Sequence, residues 1–98
     1  MKDREEILRR LREHQQTIRK LGVRRLGLFG SIARGEGDLT SDLDFLVELE
    51  QSTFDAYMNV KFFLEDLFQC PVDLVMADTI KPRLREGILK ETVYVPGL

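Results

Sequence analysis

The sequence predicts an α/β (α+β) chain, and three observations carry that reading. Apolar runs at 23–29, 43–49 and 72–76 have strand length and are bounded by turn residues. The segments 3–21, 53–69 and 80–90 instead space their apolar residues as helices do. Finally, the link between the first two strand candidates is too short to hold a full crossover helix. Those two strands are therefore expected to be antiparallel neighbours.

Each element has its own signals. In 3–21, Ile7, Leu11, His14, Ile18 and Leu21 form one stripe with Leu8 beside it. Asp3, Glu5 and Glu6 lie early, and Arg19 and Lys20 late, as the helix dipole favours. Gly22 is a natural stop. The lone histidine, His14, has no histidine or cysteine companion and reads as a packed edge residue, not a ligand. Val23 to Phe29 is a strand, and 30–37 a turn that runs into a short helix at 31–34. Residues 38–41 are loop, and Leu43 to Leu49 is the second strand. Thr53 or Ser52 can cap the helix at 53–69, which is apolar over a wide arc and is expected to press on the sheet. After Pro71, Val72 to Met76 is the third strand, followed by a helix at 80–90 and a short strand at 92–95.

Composition narrows the classes. A chain of 98 residues is expected to form one domain, residues 1–98, with a small but sufficient core. Its 43% hydrophobic and 33% charged residues fit a soluble globule and argue against disorder. One cysteine, Cys70, cannot form an internal disulfide and reads as a small buried apolar residue. No secretion signal or membrane-length apolar run is visible, so a cytoplasmic protein without membrane contact is expected. The net charge of −2 conceals an asymmetry, because ten of the fifteen Lys and Arg lie in residues 1–35. Those of the first helix fall on its solvent side without interleaved aromatics, which argues against direct nucleic-acid binding.

The chemistry sits in residues 28–47, LFGSIARGEGDLTSDLDFLV. Side chains two apart on a strand point the same way, so Asp42 and Asp44 can project together at the start of the second strand. Asp73, a lone charge within the third apolar run, can join them if that strand lies alongside. Clustered carboxylates repel, and a divalent cation removes the conflict. Mg²⁺ commonly binds through a few carboxylates plus substrate phosphates, and two such ions can clamp an in-line displacement at phosphorus. Gly30 permits a tight turn and close approach of backbone to phosphate. The amides of Ser31 and Ile32, the Ser31 hydroxyl and the Arg34 guanidinium supply phosphate donors. Each feature alone is commonplace; the combination is specific.

These residues resemble the polymerase-beta-type nucleotidyltransferase superfamily, whose pattern is a Gly-Ser pair, ten residues, then D-x-D. Here the pattern is Gly30-Ser31 and Asp42-x-Asp44, with Asp73 as the third carboxylate. "LFGSIARGE" and "SDLDFLVEL" are similar to the minimal nucleotidyltransferase antitoxins, over essentially the whole chain. The resemblance implies a small mixed β-sheet with helices packed mainly on one face. It implies transfer of AMP from ATP to a tyrosine hydroxyl of a HEPN-domain ribonuclease toxin, with pyrophosphate leaving. It assigns two Mg²⁺ ions to Asp42, Asp44 and Asp73, with Asp73 orienting or deprotonating the acceptor. Gly30, Ser31, Arg34 and Ser41 are the implied nucleotide-binding residues. The alternatives are an antitoxin that acts by binding alone and a transferase acting on a small, aminoglycoside-like molecule. A phosphatase with a D-x-D nucleophile fits less well, because its aspartates follow a buried strand and these precede one.

Overall fold

A computed structural model describes residues 3–36 and 42–98. The elements in chain order are α1 (Arg4–Glu13), α2 (Gln15–Lys20), β1 (Val23–Phe29), α3 (Gly30–Ala33), β2 (Leu43–Leu49), α4 (Phe54–Phe68), β3 (Val72–Met76), a 3₁₀ turn (Ala77–Thr79), α5 (Pro82–Glu91) and β4 (Val93–Tyr94). The strands form one four-stranded sheet in the order β3-β2-β1-β4. β2 runs antiparallel to β1 and parallel to β3, with α4 as the crossover, and β4 pairs antiparallel with β1.

Strand alternation sorts the side chains into two layers. Leu26 and Leu28 of β1, Phe45 and Val47 of β2 and Leu74 of β3 face the main core. Ile7, Leu11 and Ile18 from α1 and α2 close it, together with Val60 and Leu64 from α4. On the opposite face a smaller cluster forms around Leu46, Ala77 and Ile80, with Ile88 and Leu89 of α5 laid against it. The sheet is thus mixed, and among the described residues α1, α2 and α4 pack on one face while α5 and the 3₁₀ turn lie on the other. The parity that buries Phe45 and Val47 turns Asp44 toward the face that carries α5.

Several expectations need correction. The first helix is two, broken at His14. The His14 ring Nδ1 lies 2.9 Å from the Arg10 carbonyl and donates to the oxygen a continuous helix would offer the His14 amide. That amide turns instead to the Leu11 carbonyl, at 3.1 Å. The ring also meets Phe63 edge-on with centroids 6.0 Å apart, the packed-edge role expected of it. Thr53, not Ser52, caps α4: its hydroxyl accepts from the Ala56 amide at 3.1 Å. The apolar arc of α4 is wider than its contact with the sheet, since Phe54 and Phe62 are exposed. Cys70 is half-buried and packs on the core margin. The terminal strand is only Val93–Tyr94.

Candidate active site

The site forms where the end of β1 meets the starts of β2 and β3. Asp44 pairs with Asp73 in the parallel β2–β3 register, so the two carboxylates stand on neighbouring strands at one level and on one face. Asp42, two residues earlier, is exposed just before β2. On the other side of Asp44, its antiparallel partner is Phe29, and the chain turns immediately after it into Gly30-Ser31.

Gly30 is required by two independent constraints. Its φ is +81°, a region that L side chains rarely adopt. A Cβ there would also press on the Asp44 side chain, only 2.9 Å from Cγ. The turn and the D-x-D pair are therefore in direct contact, and backbone can approach whatever the carboxylates hold. Ser31 is half-buried in the single turn of α3, whose last residue hands over to the exposed Arg34. The Arg34 guanidinium reaches Glu36 at 2.6 Å and Glu91 at 2.8 Å. Ser41 lies outside the described residues.

The electrostatics record the crowding. Burial pushes the Asp44 carboxyl above the usual aspartate range, and the charges of Asp73, Asp42 and Glu91 push it the same way. Arg34 opposes them. Among the described residues, no three His, Cys, Asp or Glu side chains close into a ready-made metal cage. Mg²⁺ does not need one: it retains waters and completes its octahedron with substrate phosphates around one or two carboxylates. The donor set here fits that habit. It is hard oxygen, concentrated at one sheet end and burdened by repulsion around Asp44 that Arg34 offsets only in part.

Sequence reasoning missed Glu91. Its Oε1 accepts from the Gly30 amide at 3.2 Å, and its Oε2 holds Arg34. One signal was available: Glu91 ends α5, where the helix dipole disfavours a carboxylate.

A cleft of about 590 Å³ opens elsewhere on the α5 face, between Arg24 and Arg25 at the start of β1, Glu48 near the end of β2, and Arg85. It lies at the opposite end of the sheet from the carboxylates, whose own site opens directly to solvent through Asp42, Asp73 and Arg34.

The nucleotidyltransferase domain family model matches residues 4–95. The chain is 39% identical over 93 residues to the protein adenylyltransferase MntA of Thermococcus cleftensis, covering 93% of this chain and 94% of that protein. A solved structure described as a minimal nucleotidyltransferase shares 37% identity and superposes with a TM-score of 0.73, covering 88% of this chain and 93% of that one. The fold is also that of the Shewanella oneidensis MNT antitoxin, solved in complex with its tri-AMPylated HEPN toxin. There the identity is 19%, the TM-score 0.59, and the coverage 89% of this chain and 73% of that one. Pattern, sheet and relatives agree: the chain belongs to the nucleotidyltransferase domain family.

Proposed function

We propose that this protein is an adenylyltransferase antitoxin that moves AMP from ATP onto a tyrosine hydroxyl of a HEPN-domain ribonuclease toxin and so neutralises it. One observation carries the chemistry: Asp44 and Asp73 stand level on parallel neighbours, and the Gly30 turn comes so close to Asp44 that a Cβ there would not fit. The MntA name of the Thermococcus relative and the AMPylated toxin bound to the Shewanella protein support the choice of acceptor. So does the openness of the site, which admits a side chain presented by another protein. With ATP as donor and a ribonuclease as acceptor, the proposed reaction belongs to the cytoplasm.

Asp42, Asp44 and Asp73 would hold two Mg²⁺ ions, which would supply neutralisation of phosphate charge and activation of the reacting oxygens. The chain's own groups do the rest. The turn that Gly30 permits brings the Ser31 amide and hydroxyl to the triphosphate, and Arg34 faces its charge. Asp73 orients the tyrosine hydroxyl and takes its proton. The tyrosine oxygen bonds to the α-phosphorus as the bond from that phosphorus to the α–β bridging oxygen breaks, and pyrophosphate carries that electron pair away. Ser41 adjoins Asp42 in sequence and is assigned to the nucleotide.

The test is peptide mapping by mass spectrometry. The product of the adjacent gene is incubated with this protein, ATP and Mg²⁺. AMP on a tyrosine of that product, absent with Asp42→Asn/Asp44→Asn, is expected. An unmodified partner that is nevertheless bound and inhibited would overturn the transfer reading in favour of a binding antitoxin.

A further inference from the structure

We infer that Glu91 is a positioning residue for the nucleotide: its carboxylate staples both ends of the Gly30–Arg34 turn and so presets the phosphate donors. This deepens the adenylyltransferase reading and rests on it. One oxygen takes the Gly30 amide at 3.2 Å, and the other takes Arg34 Nη1 at 2.8 Å. The contacts reach across 61 and 57 residues, so the end of α5 is fastened to a turn distant in sequence. Glu91 is partly shielded, with 28% of its side chain exposed.

The placement is hard to explain as packing. A carboxylate at the C-terminus of α5 opposes the helix dipole. It also adds to the negative charge around Asp44. Two unfavourable electrostatic terms at one residue mark a local rule broken in the service of a site. What Glu91 supplies in return is geometry. The positive-φ turn at Gly30 is held by its own amide. Arg34, on an exposed and otherwise free-rotating side chain, is clamped between Glu91 and Glu36. Two of its donors are thereby occupied, and its remaining N–H groups are left to meet phosphate in a fixed orientation.

The experiment is calorimetric titration of α,β-methylene-ATP with Mg²⁺ into the wild type, E91A, E91D and E91Q, with thermal melting of each. E91A removes both contacts of the staple and is expected to weaken binding about tenfold. E91D keeps the charge but withdraws the carboxylate by one methylene, and is expected to weaken binding about threefold. E91Q keeps an acceptor for the Gly30 amide but loses the Arg34 ion pair, and is expected to weaken binding about threefold. The E91A loss should shrink in an Arg34→Ala background, because part of the effect runs through that guanidinium. Wild-type or tighter affinity in E91A and E91D would overturn the inference and make Glu91 a competitor of the phosphates. Should E91A fail to fold, E91D decides alone. Absence of binding by the wild type itself would instead sink the nucleotide reading, and this inference with it.

Discussion

Asp44 is held in a position that the unliganded protein does not favour. Burial and the neighbouring charges of Asp73, Asp42 and Glu91 raise its carboxyl, so the folded chain binds that proton more tightly than the unfolded chain does. Stability is therefore lost as pH rises from the usual aspartate value through the raised one, and the penalty is complete above it. Asp44→Asn removes the penalty. In EDTA at pH 7 the variant should melt above wild type, and below the usual aspartate pKa the difference should vanish. Mg²⁺ should then raise the wild-type melting temperature and leave the variant's unchanged. A variant that unfolds at pH 7 would make Asp44 structural. Gly30→Ala tests the same contact from the other side. It imposes about 1–2 kcal/mol of left-handed strain and displaces the Asp44 carboxylate. Transfer should fall about 100-fold, as misplacing a reacting group by an ångström does, in an assay on folded protein.

At the level of elements, the basic first third finds a use that periodicity could not show. The Arg4 guanidinium donates to the Ala33 carbonyl at the end of α3, at 2.9 Å. Arg10 donates to the Leu67 carbonyl at the end of α4, at 2.6 Å, and lies over the Phe68 ring. Both are cations set on the exposed carbonyls of a helix C-terminus. Arg10→Ala should cost about 1–3 kcal/mol in urea unfolding, whereas Arg12→Ala, at an exposed position, should stay within about 0.5 kcal/mol. Equal effects would remove the capping role. The strands were legible to the residue at 23–29, 43–49 and 72–76 because each gathers its apolar residues over strand length between turn signals. The helix break at His14 was not, since an imidazole claiming a backbone carbonyl leaves no trace in spacing. Nor was the exposure of Phe54 and Phe62, because an aromatic reads as core whether or not a neighbour covers it.

For the whole molecule, the strand order matters more than any one contact. Placing β2 between β1 and β3 brings the turn after β1 against the start of β2 and sets β3 level with it. The outer edge of β3 is partly covered by α4, where Tyr57 donates to the Leu74 carbonyl at 2.7 Å and Glu65 accepts from the Val72 amide at 3.1 Å. The juxtaposition of Asp44, Asp73 and Gly30 at one sheet end was legible in advance, because strand alternation and the Gly-Ser turn follow from residue type and spacing. The place of Glu91 was not, because it depends on a helix end returning across the far face of the sheet. The most direct measurement uses two labels. The protein, Mg²⁺ and the adjacent gene product are incubated with ATP labelled at the α- or at the γ-phosphorus, beside Asp42→Asn/Asp44→Asn. Label on the partner from α-ATP alone, lost in the variant, is the predicted result. Label from γ-ATP, or α-label that survives the double substitution, would contradict AMP transfer by this carboxylate site.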